Sequence, residues 1–295
     1  MCIRDRITTP FTFDATMESI ILQGAVPVFV DIKPDDLNID PTKVAEAVTD
    51  KTAAIMPVPI FGAPCDMHAI DAVADAHGLV TIMDMAQAFG TLFDGRPMGS
   101  YARMSTLSFY PTKNLPGIGD GGMVVCRNEE DAERIKALRS HKAVEIDGHL
   151  HVGWNDRLDE IQAMAIRVRL ARFDEEQADR DRVAAIYDSL VPEANRLATP
   201  VAANGMKGTY HQYFVRCEDR DGLAAELGRN NVDIGIYYDP QLHKHELSVY
   251  GRAHGDLVEA ERAGREILAL PIHAAVPFED ATRVGEIVRD YVTGA

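Results

Sequence analysis

The chain has 295 residues, enough for one large or two ordinary domains, and its 46% hydrophobic and 26% charged residues are typical of a globular protein. Its formal net charge of -16 argues against broad contact with nucleic acid phosphates or anionic lipid. No apolar run approaches the ~20 residues of a membrane span, and no secretory apolar segment opens the chain. The cysteines form no CxxC pair, which indicates reduced thiols, a cytoplasmic protein and no zinc site: Cys2, Cys65, Cys126 and Cys217.

Short apolar runs alternate with helical patterns through the first half of the chain. The predicted strands are 26–31, 53–59, 79–84, 104–109 and 122–126, and the predicted helices are 15–23, 41–50, 67–78 and 130–141. This alternation is typical of a mostly parallel sheet with helices on both faces. The stretch 104–126 is the exception, because a glycine-rich loop and not a helix joins its two strands.

The second half of the chain predicts a different arrangement. A long helix is predicted from about Asp156, with an apolar stripe at Leu158, Ile161, Ala165 and Val168 and a solvated continuation over 174–182. A loop is predicted over 191–208, followed by apolar runs at 213–217 and 232–238 and by helices near 221–230, 256–268 and 279–292. We therefore expect a large domain over 1–175 and a smaller α+β domain over 176–295.

Three glycines, Gly117, Gly119 and Gly122, match the G-x-G-x-x-G pattern of dinucleotide sites. That pattern needs a helix after it, so that the pyrophosphate lies at the helix N-terminus. Here a strand follows, so nicotinamide or flavin binding is not expected. The glycines instead indicate a tight loop that approaches another group closely.

Lys113 lies in the same loop, and the residue types around it suggest a cofactor site. Asp84 and Ser108 end predicted strands, and ligands of open α/β sheets bind beyond the carboxyl ends of strands. A carboxylate, a hydroxyl and an amine at one edge suit pyridoxal 5'-phosphate (PLP). The amine forms a Schiff base, the acid keeps the pyridine nitrogen protonated and the hydroxyl holds the phosphate. A lone loop lysine is more often a solvated charge, and the spacing leaves both interpretations open.

Longer segments of the chain resemble one enzyme family, the sugar aminotransferases of the DegT/DnrJ/EryC1/StrS family. The likeness is most specific in DMAQAFG (84–90), SFYPTKNLPGIGDGG (108–122) and GWNDRLDEIQA (153–163). It continues in the same order through TPFTFDAT (9–16), GAVPVFVDI (24–32), TYHQYFVR (209–216), IYYDPQLH (236–243) and LALPIH (268–273). It implies the fold of type I PLP enzymes, like aspartate aminotransferase. This is an α/β fold with a mostly parallel sheet of the seven-stranded type, helices on both faces and a smaller α+β C-terminal domain.

The resemblance implies roles for the residues that would meet the cofactor. Lys113 would form the Schiff base and shuttle a proton, Asp84 would pair with the pyridinium nitrogen, and Gln87 would lie near the phenolic oxygen. The expected ring and phosphate contacts are Ala86 and Phe13 on the two ring faces and Ser108 at the phosphate.

Further expected contacts involve a neighbouring subunit or the substrate. Asn155 would reach the phosphate of the neighbouring subunit, so that a homodimer shares its sites. His211, Tyr238 and His243 would lie where the small domain approaches the substrate. The residues alone leave other readings open: Phe13 in the core, Gln87 as a helix cap and Asn155 as the N-cap of the long helix.

The implied reaction moves an amino group from an amino acid, expected to be glutamate, onto a keto group of a nucleotide-linked sugar. The segments GDGG and N-x-R-L-D-x-I-Q-A look most like the branch that acts on UDP-linked 3-keto-2-acetamido sugars. Two alternatives stay open: a PLP- or PMP-dependent sugar dehydratase, in which histidine typically replaces the Schiff-base lysine, and a truncated non-catalytic member. The resemblance also implies an upstream segment with a phosphate-binding Gly-Thr pair, which we expect to be missing from this chain.

Overall fold

The computed structural model describes residues 4–146, 148–197 and 205–294. In the first half, the strands and helices are β1 (Asp5–Thr8), α1 (Asp14–Leu22), β2 (Val26–Phe29), α2 (Pro41–Ala47), β3 (Thr52–Met56), α3 (Met67–His77), β4 (Val80–Asp84), β5 (Leu92–Phe93), β6 (Arg96–Pro97), β7 (Met104–Ser108), β8 (Gly122–Cys126), α4 (Glu129–Leu138), β9 (Val144–Ile146) and β10 (His149–His151). The second half contains α5 (Glu160–Leu170), α6 (Phe173–Leu190), β11 (Tyr213–Arg216), α7 (Arg220–Arg229), β12 (Arg252–Ala253), α8 (Val258–Glu266), β13 (Ile267–Leu270) and α9 (Phe278–Thr293).

The central sheet has seven strands in the order β12-β2-β1-β3-β4-β7-β8. All neighbouring strands run parallel except β7 and β8, which pair antiparallel from Met104–Cys126 to Ser108–Gly122. The mostly parallel sheet and its exception at the glycine loop are therefore confirmed. Parallel strands place their carboxyl ends at one edge, and the candidate site lies at that edge.

Strand β1 lies between β2 and β3, although the sequence patterns had not assigned residues 5–8 to a strand. The segment DRIT carries two charges in four residues and shows no apolar run. Its Asp5 is 2% exposed and accepts a hydrogen bond of 2.7 Å from Nη2 of Arg252. Because that partner is 247 residues away, no local pattern could reveal it.

Helices cover both faces of the sheet. Successive strand residues point to opposite faces: Val28 packs in a core with α2 and α3, whereas Phe29 packs in a second core with Met17 of α1 and Ala260 of α8. Burial of each large apolar side chain contributes about 1.5–3 kcal/mol. The second core holds α1, which carries Thr16, against the sheet through Met17.

A separate core forms in the C-terminal part from α6, α7, α9, β11 and β13. It contains Tyr187, Val215, Leu223, Leu268 and Val284. Helix α6 spans the predicted boundary at 175, and β12 joins the first sheet. The division into 1–175 and 176–295 stays a prediction.

The long helix predicted from about Asp156 is wrong in its continuity. The structure has two helices, α5 and α6, which are separated at Ala171–Arg172. The predicted apolar stripe is not buried, since Ile161 and Val168 are 70% and 69% exposed, whereas Ile166 is buried. Helical spacing shows that a face is apolar but does not show which surface covers it. The N-cap of α5 is Asp159, so Asn155 does not cap this helix.

Two other predictions concern residues that the structure does not describe. Cys2 and part of the predicted loop over 191–208, residues 198–204, lie outside the described residues. Cys65, Cys126 and Cys217 are free thiols. Within the described ranges no helix is both long and apolar enough to cross a bilayer.

Candidate active site

A cavity of about 1070 Å³ opens where β4 and β7 end. Asp84 ends β4 and Ser108 ends β7, and both line the cavity together with Lys113 from the glycine loop. The C-terminal part closes the other side with the segment 236–240. A cleft of this size between two parts of a chain can hold a cofactor and a small substrate.

Most of the predicted site residues line this one cavity. They are Phe13, Asp84, Ala86, Gln87, Ser108, Lys113, His211 and Tyr238. His243 and Asn155 are not among its lining residues. The Nε2 atom of His243 lies 3.1 Å from Oε1 of Glu261. Asn155 is exposed, and its neighbours Trp154 and Asp156 line a second groove along β8 and α4.

The Asp84 carboxylate is held from two directions. Its Oδ2 accepts a hydrogen bond of 2.7 Å from the Thr16 hydroxyl, and its Oδ1 accepts one of 3.1 Å from the backbone N–H of Ala86. Thr16 lies on α1, is 1% exposed and is itself 3.2 Å from the hydroxyl of Thr12. These bonds fix the direction in which the carboxylate faces the cavity.

Lys113 is a partly buried amine. Its backbone N–H donates to the Tyr110 carbonyl at 2.9 Å, which closes a tight turn. Burial lowers the pKa of its ammonium group, and the negative charge of Asp84 opposes part of this effect. A lysine with a lowered pKa is more often in the free amine form that attacks a carbonyl carbon.

Gln87 connects the two sides of the cavity. Its Oε1 accepts a hydrogen bond of 2.9 Å from the backbone N–H of Phe61, and its Nε2 donates one of 2.6 Å to the Tyr238 hydroxyl. Gln87 therefore bridges the Phe61 backbone and the Tyr238 side chain. Tyr238 also lies parallel to the ring of Phe61, with centroids 6.0 Å apart. Burial raises the pKa of Tyr238, so its phenol stays protonated.

Phe13 stands at the mouth of the cavity and is 60% exposed. The alternative that it belongs to the core is therefore wrong. It precedes α1 as the residue at the helix N-terminus, with extended backbone angles.

His211 has a defined tautomer. The Asn114 amide nitrogen donates to the Thr209 carbonyl at 2.8 Å, so the Asn114 oxygen must accept the hydrogen from Nδ1 of His211, 3.0 Å away. Burial, with the positive charges of Lys113 and Arg180, lowers the pKa of His211 to about 3. The imidazole is therefore neutral, and its Nε2 keeps a lone pair.

Sequence reasoning did not identify Asn114 or Thr16. Asn114 adjoins Lys113, so a signal was present, but an asparagine in a loop has many uses. Thr16 gave no signal, because its bond to Asp84 joins residues 68 positions apart.

The mouth of the cavity is acidic. Asp14, Asp120 and Asp239 line it, and the His245 Nε2 lies 3.7 Å from Oδ2 of Asp14. Of the two nearby histidines, His245 lines the cavity and His243 does not. Among the described residues that line it, Lys113 is the single lysine or arginine.

Comparison with known proteins extends over nearly the whole chain. Residues 4–289 match the model of the DegT/DnrJ/EryC1/StrS aminotransferase family. A protein of Geobacillus stearothermophilus named pleiotropic regulatory protein is 41% identical over 97% of this chain and 77% of its own length. The dTDP-3-amino-3,4,6-trideoxy-alpha-D-glucose transaminase of Streptomyces venezuelae is 36% identical over 97% of this chain and 76% of its own length. The UDP-2-acetamido-2-deoxy-3-oxo-D-glucuronate aminotransferase of Pseudomonas aeruginosa is 34% identical over 95% and 77%.

Solved structures agree with these matches. DesV of S. venezuelae, solved in complex with a ketimine intermediate, superposes with a TM-score of 0.90 at 35% identity over 98% of this chain and 78% of that chain. A DegT DnrJ EryC1 StrS aminotransferase from Brucella abortus gives a TM-score of 0.89 at 31% identity over 98% and 79%. The fold predicted from the sequence is therefore confirmed. By sequence and by fold, this chain belongs to the DegT/DnrJ/EryC1/StrS aminotransferase family.

Proposed function

We propose that this chain is a PLP-dependent aminotransferase that moves an amino group from an amino acid, expected to be glutamate, onto a keto group of a nucleotide-linked sugar. The observation that carries the proposal is the pairing of a lysine of lowered pKa with a fixed carboxylate across one cavity, Lys113 and Asp84. Three relatives name carbon 3 of their sugar: the S. venezuelae transaminase, the P. aeruginosa enzyme and a UDP-N-acetyl-3-dehydro-alpha-D-glucosamine aminotransferase of Acidithiobacillus ferrooxidans. We infer amination at carbon 3, with a UDP-linked 3-keto-2-acetamido sugar as the first substrate to test.

The donor set fits PLP. An amine, a carboxylate held by Thr16 and a strand-end hydroxyl stand around one space, which suits an aldehyde, a pyridine nitrogen and a phosphate. When bound, PLP supplies a carbonyl for amines and an electron-withdrawing ring. Lys113 would hold it and move the proton between substrate carbon and cofactor, while Asp84 would keep a proton at the ring nitrogen.

The remaining lining residues would hold and orient. Ala86 and Phe13 would lie on the two ring faces, Ser108 would bind the phosphate, and the Gln87 amide would meet the phenolic oxygen. Tyr238 would fix Gln87 in that position through their hydrogen bond. His243 is paired with Glu261, so we expect any effect of it on the substrate to be indirect.

The same proposal includes a homodimer with shared sites. Ile161, Met164 and Val168 lie on one face of α5, three and four residues apart, and are 70%, 68% and 69% exposed. Such an apolar face indicates a partner surface, and we expect a second copy to cover it. Asn155 lies in the segment that leads into α5 and would then reach the second copy's phosphate.

Two alternatives give different outcomes in one experiment. The chain is incubated with PLP, [15N]glutamate and the UDP-linked 3-keto sugar, and the sugar product is identified by mass spectrometry. Incorporation of 15N that disappears in Lys113→Ala supports the aminotransferase. Loss of water without incorporated nitrogen indicates the dehydratase, which the lysine at 113 argues against. A visible PLP absorbance band with no product indicates a non-catalytic member.

A further inference from the structure

The glycine loop lies against one side chain of α5, that of Gln162. Its Oε1 accepts a hydrogen bond of 2.9 Å from the backbone N–H of Ile118. A Cβ atom at Gly117 would lie 2.8 Å from that oxygen, and one at Gly119 would lie 2.5 Å from Nε2. Any larger residue would push the amide away. Gly117 and Gly119 therefore approach Gln162, whereas Gly122 approaches the Leu107 carbonyl.

The same loop carries Lys113 and is closed at its base by Phe109. The Gly117 N–H donates to the Phe109 carbonyl at 2.6 Å, and the Phe109 N–H donates to the Gly121 carbonyl at 2.8 Å. The Phe109 side chain is 1% exposed and packs against Leu115 and Ile166. Phe109 thus fixes the inner end of the loop in the core.

The outer end of the loop has less support. Ile118 is 63% exposed, so packing does not hold it. Among the described residues, the hydrogen bond from its N–H to Gln162 joins this end to α5. Gln162 itself does not line the cavity. Its contact with the site runs through the loop.

We propose that Gln162 is a positioning residue for Lys113. Its amide holds the outer end of the glycine loop on α5, and this contact determines how far the Lys113 amine is buried in the cavity. The catalytic consequence rests on the proposed function, whereas the position of the amine is a property of the chain alone. A leucine of similar size could fill the space but could not accept the Ile118 hydrogen bond. The loop would then loosen, and Lys113 would meet more water.

The test measures the Lys113 amine in the protein without cofactor. The chain is acetylated competitively over a range of pH, and the Lys113 peptide is quantified by mass spectrometry. Burial keeps the midpoint of Lys113 low, so we expect Gln162→Leu to raise it toward the ordinary lysine value of about 10.4. Arg169→Ala, an exposed change on the same helix, should leave the midpoint unchanged. An unchanged midpoint in a folded Gln162→Leu protein would overturn the proposal.

A second pair of variants tests the contact between the glycine loop and Gln162 by changing the loop. Gly119→Ala should raise the Lys113 midpoint in the wild-type background, because its methyl group meets the Gln162 amide. In a Gln162→Ala background the same change should add nothing, since the space is empty. Additive shifts would contradict the proposal. A wrong proposed function would give a different result. The wild-type chain would then show no PLP absorbance band, while the pH midpoint for acetylation of Lys113 would still be low.

Discussion

The Gln87 amide nitrogen donates a hydrogen bond of 2.6 Å to the Tyr238 hydroxyl and joins residues 151 positions apart in the chain. This bond ties the turn after β4 to the segment that closes the cavity. The other end of the amide accepts from the Phe61 backbone at 2.9 Å. One side chain therefore sets the distance between the two walls of the candidate site.

The first prediction concerns this bond. Gln87→Leu leaves the buried Phe61 N–H unpaired and removes the partner of Tyr238, so it should lower the free energy of unfolding by about 1–3 kcal/mol. Tyr238→Phe removes the same bond from the other side. In urea denaturation the double variant should lose less than the sum of the single losses. Strict additivity would mean that the two side chains do not interact in solution.

The second prediction concerns the support of Asp84. Thr16→Val removes the hydroxyl donor but keeps the side-chain shape, and we expect it to weaken PLP binding about tenfold, since hydrogen bonds to charged groups contribute about 1.5–3 kcal/mol. Thr16→Ser keeps the donor and should bind PLP nearly as the wild type does. Fluorescence titration with PLP measures both. Equal affinity for all three proteins would show that Thr16 does not orient the carboxylate.

The third prediction concerns pH and His211. Its folded pKa of about 3 lies below the ordinary value of about 6.5, so between these values the unfolded chain binds a proton that the folded chain does not. Stability from this group is fully present above pH 6.5 and is lost as the pH falls toward 3, at up to about 1.4 kcal/mol per pH unit.

The control for this pH effect is His211→Gln, which cannot titrate and whose amide can still donate to Asn114. Urea denaturation at pH 7, 6 and 5 should show the wild type losing stability faster than this variant. Parallel losses in the two proteins would contradict the buried neutral imidazole.

The fourth prediction concerns the apolar face of α5. Met164→Asp places a charge where a second copy is expected, so sedimentation velocity should show a dimer for the wild type and at least tenfold weaker association for the variant, equal to about 1.4 kcal/mol. Val249→Asp is the matched control, because Val249 is 79% exposed but lies outside α5. The proposed interface would be rejected if Met164→Asp and Val249→Asp weakened association equally. It would also be rejected if the wild type were a monomer.

The strand-end rule accounts for much of what could be predicted. Asp84, Ser108 and Lys113 come from separate segments, yet all line the cavity because parallel strands end at one edge. The family motifs added Ala86, Gln87 and Phe13, which also line it. The site roles of these residues stay predictions.

The features that escaped prediction depend on distant partners. Three hydrogen bonds form only when the chain has folded, because their partners are far apart in the sequence. They join Thr16 to Asp84, Arg252 to Asp5, and His211 to Asn114. The apolar stripe of α5 was predicted from its helical period, but the period did not show that Ile161 and Val168 are exposed. Sequence periodicity shows which residues share a helix face. The tertiary structure determines whether that face is buried and against which element it packs.

The most direct test of the central claim is to identify the amine that takes PLP. The chain is incubated with PLP, reduced with borohydride and digested, and the modified peptide is located by mass spectrometry. We expect the phosphopyridoxyl group on Lys113, with Asp84→Asn lowering its yield and Lys113→Arg abolishing it. Modification of another lysine, or equal modification of the Lys113→Arg protein, would show that Lys113 is not the amine that binds PLP.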